Sequence, residues 1–162
     1  MPDAFPLVDC EPVRIGVPGA STWRLLGDLQ IAFPSGWVLI GGLMVNLHGA
    51  EAGRSPARVT LDADVLIRAR VLTRGTRQVS EWLSERGLEF EGASTLETGH
   101  RFRSAEVSVD LLVPAHLGER AERRTVGENV APEAVGGPGL LGAGELVPVA
   151  IGDDVVLIPR PR

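Results

Sequence analysis

Three aspartates have the residue type and spacing to hold a metal ion together. Asp62 and Asp64 lie two residues apart in the run VTLDADVLI, and Asp110 lies at the centre of the later run VSVDLLV. Because strand side chains alternate between faces, Asp62 and Asp64 should project from one face with their bases ~7 Å apart, close enough to share one ion. Asp110 lies between residues that look buried, where a carboxylate is costly unless it is paired or bound to a cation.

A pair of glycines, Gly41 and Gly42, follows the apolar run WVLI without a spacer and precedes LMVNLHG, which has helical periodicity. Backbone N–H groups at the start of a helix, together with the positive end of the helix dipole, bind anionic phosphates. Glycine suits such a turn because a Cβ would obstruct the approach of the ligand. We therefore expect phosphates to bind at this turn.

The carboxylates and the glycine turn together fit nucleotidyl transfer. In that reaction negative charge builds on the attacking and leaving oxygens around the α-phosphorus, and two Mg²⁺ ions stabilise both. Magnesium takes hard oxygen ligands and keeps several waters, so two or three carboxylates from adjacent strands are sufficient. Without the cations the carboxylates would repel one another, and we expect at least one raised pKa in the metal-free protein.

The elements that position these residues are predicted from hydrophobic periodicity. The first helix should run to Phe33 with Ser21 as its N-cap, and the second should follow Gly42. A third should extend from Thr73 to a stop at Gly87, with Val79, Trp82 and Leu83 on its inner face. The run WVLI (37–40) suits a central strand buried on both faces.

The remaining segments are predicted from composition and alternation. Strands are expected at 59–67 and 88–92, a hairpin or long bent strand at 100–114, and a closing hairpin at 147–159 that turns at Gly152-Asp153-Asp154. Loops or connections are expected at 50–58, 93–99 and 126–144, a short helix with solvated charges at 115–124, and an extended arm at 1–19 that packs on the domain.

Composition limits the possible functions. The chain has 162 residues, which predicts a single domain over 1–162, and a net charge of -5, which argues against a broad basic face that coats nucleic acid. It contains no lysine or tyrosine, and Cys10 is its one cysteine, so lysine chemistry and an intramolecular disulfide are excluded. No apolar run approaches the ~20 residues of a membrane span, and the N-terminus lacks a secretory pattern. We expect a soluble, cytoplasmic protein with no membrane partner.

The motifs resemble those of a known family. They are Gly41-Gly42, His48-Gly49, the pattern R-x-T-x-D-x-D formed by Arg58, Thr60, Asp62 and Asp64, and the later run VDLL at 109–112. This combination of motifs resembles that of proteins with the nucleotidyltransferase fold of the DNA polymerase beta superfamily. Within that superfamily it most resembles the bacterial AbiEii-like group, which includes toxins of type IV toxin–antitoxin systems. The resemblance covers roughly residues 20–160.

The resemblance implies an α/β (α+β) domain, in which a mixed twisted β-sheet is flanked by helices. It implies that Asp62, Asp64 and Asp110 are the catalytic residues and the metal ligands, for two Mg²⁺ ions or for Mn²⁺ in their place. Asp110 is by the same carry-over the candidate general base for the incoming hydroxyl. Family members commonly continue into a helical half, and we expect that half to be absent from this chain.

The nucleotide, an NTP, is expected to bind at four positions: Gly41, Gly42, Arg58 and Thr60. Arg58 has a second interpretation, in which it braces its loop. His48 is interpreted as structural or as a nucleotide contact, and Arg101 as a triphosphate ligand or as an ordinary arginine on an exposed strand. The three tryptophans lie on apolar faces and are expected in the core, namely Trp23, Trp37 and Trp82.

Three functions follow from the residues and the resemblance. The first is an enzyme that transfers NMP from NTP to an RNA (tRNA) or protein hydroxyl, as a toxin–antitoxin component with a cognate antitoxin. The second is a non-catalytic, antitoxin-like or regulatory module of the same fold, which the missing helical half and the lack of lysine favour. The third is a small-molecule nucleotidyltransferase of the aminoglycoside-modifying kind, because the donor site does not fix the acceptor.

Overall fold

A computed structural model describes residues 4–16, 19–56, 60–91, 100–118 and 121–162. Within these ranges the chain is a mixed α/β structure with two β-sheets and four helices. The elements are β1 (Val13–Arg14), α1 (Ala20–Ala32), β2 (Trp37–Ile40), α2 (Gly41–Glu51), β3 (Asp62–Ile67), α3 (Gly75–Glu85), β4 (Glu89–Glu91), β5 (Arg101–Arg103), β6 (Ser108–Pro114), β7 (Glu133–Ala134), α4 (Gly137–Gly142), β8 (Gly144–Ile151) and β9 (Asp154–Pro161).

The larger sheet has six strands in the order β2-β3-β6-β5-β4, with β7 beside β6. Strands β3 and β6 are parallel, whereas β2 with β3, β5 with β6, and β4 with β5 are antiparallel. The smaller sheet has the order β1-β8-β9, with β1 parallel to β8. The expected mixed sheet flanked by helices is therefore confirmed at the level of architecture.

One face of the larger sheet is apolar and forms the main core. Strand side chains alternate between the two faces of the sheet. The register places four of them together on this face: Trp37, Val65, Phe102 and Leu111. The buried residues of α1, α2 and α3 join the same cluster, among them Trp23, Leu47, Val79, Trp82 and Leu83. The three tryptophans and the inner face of α3 lie in the core, as expected.

The opposite face of the same sheet is divided into two parts. Around Val38, Ile40 and Leu66 it is apolar and forms a second small core with Phe5 and Ala134. Toward the first residues of β3 and β6 it carries polar side chains instead, which include the three aspartates. The candidate site therefore lies on the part of the sheet that the second core leaves uncovered.

Two expectations for the first half of the chain are wrong. Helix α1 begins at Ala20 after Gly19, which adopts a left-handed φ of 91°, and the hydroxyl of Ser21 instead donates to Glu106 at 3.0 Å. Strand β2 is fully buried, but it ends the hydrogen-bonded strand order rather than lying at its centre. Its burial arises because α2, α4 and strand β9 of the smaller sheet pack around it.

The segment after β6 also differs from expectation. The described residues of 115–124 contain no helix, and the predicted connection 126–144 contains β7 and α4. The cause is a tertiary contact with the start of α3: the hydroxyl of Thr76 lies 2.7 Å from the carbonyl of Arg124, and its backbone N–H donates to Glu122 at 3.2 Å. These bonds hold the carbonyls in place of a helical hydrogen-bond ladder.

Other predicted elements are present. Helix α3 stops before Gly87, which has a φ of 82°, and β5 with β6 forms the hairpin rather than the long bent strand. The closing hairpin is β8 with β9, turning after Ile151 at Gly152, and the N-terminal arm adds β1 to its edge. The predicted loop 93–99 lies outside the described residues. Within the described ranges, no helix is both long and apolar enough to cross a membrane.

Candidate functional site

Asp64 and Asp110 face each other across neighbouring strands. They are register partners on the parallel strands β3 and β6, so their Cα atoms lie one strand spacing apart, ~4.8 Å, on the same face of the sheet. Asp62 lies two residues before Asp64 on β3 and is the register partner of Ser108. Asp62 is exposed, Asp64 is half-buried and Asp110 is buried. The structure thus brings the three predicted acids to one end of one sheet face.

The carboxyl of Asp64 is destabilised in its ionised form. Its pKa is raised, chiefly because burial removes water from the carboxylate, and further because of the negative charges of Asp110 and Asp62. The charges of Arg101 and His100 oppose the increase without cancelling it. One acid of the cluster therefore has the raised pKa expected for carboxylates that repel one another, and a cation beside it would be stabilised.

Asp110 is neutralised by an arginine on the next strand. Arg101 is its register partner on β5, and the Nε and Nη2 atoms of Arg101 donate to the two carboxylate oxygens at 2.7 and 2.8 Å. This two-bond geometry is the strong, charge-assisted form of an arginine–carboxylate pair. It raises the pKa of Arg101 above its ordinary value, through the hydrogen bond and the charge of Asp110. Arg101 is thus neither a free phosphate ligand nor an ordinary surface arginine in this state.

The glycine turn lies directly against the acids. Gly41 is the first residue of α2 and has a φ of 71°, in the left-handed region that favours glycine. A Cβ built on Gly41 would overlap with Oδ2 of Asp64, and one built on Gly42 would lie 3.0 Å from Cγ2 of Thr60. The turn therefore packs closely against Thr60 and Asp64, and only glycine fits at position 41.

The start of α2 has no side-chain cap among the described residues. Its N-cap residue is Ile40, which supplies no side-chain hydrogen bond, and the first turn carries no acidic residue. The first N–H groups of a helix have no partner within the helix and are available to an anion. The first residue of α2, Gly41, lies against Asp64.

The other predicted nucleotide contacts have different outcomes. Thr60 lies beside Gly42 and is half-buried, whereas Arg58 lies outside the described residues. His48 serves a structural role: its Nε2 atom lies 3.1 Å from the carbonyl of Pro161 on β9, and its Nδ1 atom lies 3.6 Å from Glu51. Only the structural interpretation of His48 has a contact that supports it.

The far end of α2 is held by a buried ion-pair network. Arg160 on β9 donates to both oxygens of Glu51 at 2.9 and 2.6 Å and to Glu145 at 3.0 Å. Arg160 is only 5% exposed. Because Glu51 is the last residue of α2, this network fixes the helix whose first residue contacts Asp64.

Sequence reasoning missed one residue of the site, Ser108, and one pairing, that of Arg101 with Asp110. The pairing of Arg101 with Asp110 depends on the hairpin register, which the sequence left open between a hairpin and a bent strand. Ser108 shares the face of Asp110 by alternation, and its buried hydroxyl has no hydrogen-bond partner among the described residues. Alternation in the run SVD could have placed Ser108 on this face, although not its burial.

The donor set fits a magnesium ion in its chemistry. Asp62 and Asp64 supply hard oxygen ligands on one face, and charge repulsion at Asp64 favours a cation there. Among the described residues, however, no three His, Cys, Asp or Glu side chains converge as the ligands of one ion. Both oxygens of Asp110 are engaged by Arg101. Two carboxylates remain sufficient, because magnesium completes its shell with water and phosphate oxygens.

Comparisons with protein-family models, with curated proteins and with solved structures find no match to this chain. The function must therefore be argued from the site.

Proposed function

We propose that this chain is a metal-dependent nucleotidyltransferase that transfers NMP from an NTP to an RNA (tRNA) or protein hydroxyl. One observation carries the proposal: the left-handed backbone of Gly41 lies against the carboxylate of Asp64, which is in register with Asp110. A phosphate-binding helix start and an acidic pair thus meet at one point, which is the juxtaposition that the transfer requires.

The element order supports the nucleotidyltransferase fold as part of this proposal. Strand β2 leads through the glycines into α2, the pair Asp62 and Asp64 follows on β3, and Asp110 lies on the adjacent β6. This is the order of motifs on which the resemblance to the DNA polymerase beta superfamily rests. The mixed sheet with helices is compatible with that fold.

The side chains have separate roles in the proposed reaction. Asp62 and Asp64, with Asp110 once it is free of Arg101, would hold Mg²⁺, or Mn²⁺ in its place, and the ions would supply charge stabilisation to the attacking hydroxyl oxygen and to the leaving pyrophosphate oxygen. The N–H groups of Gly41 and Gly42 orient the triphosphate, with Thr60 beside them. A carboxylate oxygen of Asp110 accepts the proton of the incoming hydroxyl, which requires that Asp110 be free of Arg101.

The acceptor and the partners belong to the same proposal. The resemblance to AbiEii-like toxins supports a role in a toxin–antitoxin pair, with a cognate antitoxin as the partner. We propose tRNA as the first acceptor to test, and protein as the second.

A label-transfer assay tests the proposal. Each of the four α-labelled NTPs is incubated with Mg²⁺ and with total tRNA, a protein extract or aminoglycosides, which represent the three acceptor classes. Asp64→Asn and Asp62→Asn should abolish transfer while the circular dichroism spectrum stays unchanged. Asp153→Asn, at an exposed turn far along the chain, is the matched control and should retain transfer. Full transfer by the Asp64→Asn protein would refute a metal-dependent enzyme at this site.

A second function is favoured by the pairing of Asp110 with Arg101. If Arg101 permanently replaces a metal ion, the chain is a non-catalytic, antitoxin-like or regulatory module that keeps the fold without the reaction. Calorimetry with ATP and Mg²⁺ separates the two functions. The regulatory module predicts no heat of binding, and micromolar affinity that is lost in Asp64→Asn would exclude it.

A further inference from the structure

We propose that Arg101 is a displaceable counter-cation of the candidate site. It neutralises Asp110 while no divalent ion is bound, and it moves to the nucleotide phosphates when the ion reaches the aspartates. The inference rests on the proposed function and adds a residue that positions the phosphates and controls access to the metal site. Arg101 thereby couples metal binding to nucleotide binding.

Arg101 and a divalent ion would compete for one carboxylate. Arg101 engages both oxygens of Asp110, at 2.7 and 2.8 Å. A divalent ion at Asp64 and Asp110 would have to share these oxygens with a guanidinium of the same charge sign. Because like charges repel strongly where water is partly excluded, the two cations do not occupy Asp110 together. Binding of the ion to Asp110 therefore requires the arginine to leave.

The two partners of this pair differ in exposure. The Asp110 side chain is 10% exposed and is fixed on a strand inside the sheet, whereas the Arg101 side chain is 37% exposed. Arginine remains charged at every accessible pH, and its hydrated head needs no new partner within the protein when it moves toward solvent. Arg101 is therefore the member of the pair that moves, and Asp110 is the member that stays.

The strand register places Asp64 within side-chain reach of Arg101. Arg101, Asp110 and Asp64 occupy one line of register across β5, β6 and β3. The Cα of Arg101 thus lies two strand spacings, ~9.6 Å, from that of Asp64, so an anion bound above Asp64 lies within range of the extended side chain. The donors that now form a fork on a carboxylate match a phosphate equally well.

A neighbouring arginine provides the matched control. Arg103 lies two residues further on the same strand and face, and it makes a single contact of 3.1 Å with Glu91, with both partners about half exposed. It has the same charge and lies on the same face, but its partner is Glu91 rather than an aspartate of the site. Arg103→Gln therefore reports the general effect of removing one positive charge.

The test measures Mn²⁺ binding to the full chain without nucleotide, by calorimetry and by the loss of the free-ion electron paramagnetic resonance signal. Arg101→Gln should bind Mn²⁺ about tenfold more tightly than the unmodified protein, the change expected when one charge-assisted competitor is removed. With Mn²⁺ saturating, the same variant should bind inorganic tripolyphosphate about tenfold more weakly. Arg103→Gln should change neither affinity by that amount.

The outcomes separate this inference from the proposed function. An unchanged or weaker Mn²⁺ affinity in folded Arg101→Gln overturns the role of Arg101, and so does an equal increase in Arg103→Gln. If Mn²⁺ binds and is lost in Asp64→Asn but is unaffected by Arg101→Gln, only the Arg101 inference fails. If the unmodified protein binds no Mn²⁺, both fail together.

A second measurement avoids dependence on a variant that does not fold. In the unmodified protein, the Nε–H resonance of Arg101 can be identified by its absence in Arg101→Lys. Addition of Mg²⁺ should shift this resonance, because the hydrogen bond from Nε to Asp110 is broken. A resonance that stays in place while Mg²⁺ binds overturns the inference.

Discussion

The backbone of Gly41 lies in contact with the carboxylate of Asp64. Gly41 adopts a φ of 71°, and a Cβ at this position would overlap with Oδ2 of Asp64. Asp64 is at the same time the register partner of Ile40, the residue before the glycine. The turn is thus built against the acid, and a side chain at position 41 would displace the Asp64 carboxylate.

Replacement of Gly41 by alanine should disturb both stability and the site. The left-handed φ costs an alanine about 1–2 kcal/mol, and displacement of the packed Asp64 carboxylate adds about 1–3 kcal/mol. Gly53→Ala is the control, because Gly53 has the same φ of 71° with nothing within 4 Å of an added Cβ. Urea unfolding of both variants separates strain from overlap. Equal destabilisation would show that the Asp64 contact contributes nothing.

Asp64→Asn should stabilise the metal-free protein relative to the unmodified chain at neutral pH. The folded pKa of Asp64 is raised by burial and by Asp110 and Asp62, so its contribution to stability is present below the unfolded pKa and is lost as the pH rises through the folded pKa. The Asp64→Asn protein has no carboxyl that ionises at this position, so it does not lose this stability as the pH rises. Its advantage in the free energy of unfolding should therefore grow as the pH rises from acidic values to 7.

Denaturant unfolding at several pH values measures this advantage, with Asp153→Asn as the exposed control. A variant that is less stable than the unmodified protein at pH 7, with no dependence on pH, would contradict the electrostatic account of the acidic cluster. The same variant should lose nucleotidyl transfer, so that stability and activity change in opposite directions.

The strands that carry the acids could be predicted from the sequence, because apolar and polar residues alternate locally along a strand. The repeat in VTLDADVLI places Asp62 and Asp64 opposite Ala63 and Val65, and the structure has this arrangement. The pairing of Arg101 with Asp110 was not predictable in the same way. It depends on which residues of two antiparallel strands become register partners, and a slip of one residue would move Arg101 to the other face.

The segment after β6 shows a second limit. The run 115–124 has the composition of a short helix, yet the described residues there are irregular. The competing bonds come from Thr76, which is 46 residues away from Glu122 in the sequence. A local pattern contains no information about such a distant partner, and the same is true of the parallel pairing of β7 with β6. Tertiary hydrogen bonds therefore outweighed the local helix propensity of this segment.

Arg160→Met should be strongly destabilising. Removal of one partner from a buried ion pair costs about 3–5 kcal/mol because the remaining charge is uncompensated, and Arg160 leaves two such charges, on Glu51 and Glu145. The side chains of Glu51 and Glu145 are still 20% and 22% exposed, so we expect a loss of stability at the lower end of this range. Urea unfolding measures the loss. Arg162→Met is the control, since Arg162 is 67% exposed and its pair with Glu145 should contribute less than about 1 kcal/mol.

Conversion of both carboxylates to amides tests the cause of that loss. If uncompensated charge is responsible, Arg160→Met combined with Glu51→Gln and Glu145→Gln should recover much of the stability. A triple variant as unstable as Arg160→Met alone would point to lost packing of the arginine side chain instead. Because Glu51 ends α2, the single variant should also weaken nucleotide binding at the other end of that helix.

Glu122 should make the stability of the irregular segment dependent on acid. Hydrogen bonds from the side chain and backbone of Arg124 lower its pKa from 4.5 to about 2. A carboxyl with a depressed folded pKa stabilises the protein above its unfolded pKa, and this contribution is lost as the pH falls from about 4.5 toward 2. Glu122→Gln should therefore be less stable than the unmodified protein at pH 6, with a difference that shrinks between pH 4.5 and 2.

Glu128→Gln is the matched control for this prediction. Glu128 also contacts Arg124, but at 3.5 Å and with a side chain that is 89% exposed, so its loss should change the free energy of unfolding little. Urea unfolding from pH 6 to pH 3 compares the two variants. If Glu122→Gln keeps a constant difference from the unmodified protein across this range, the carboxyl is not stabilised by Arg124. A difference that shrinks only for Glu122→Gln would instead assign the acid sensitivity to the Glu122–Arg124 pair, which borders the carbonyls bound by Thr76.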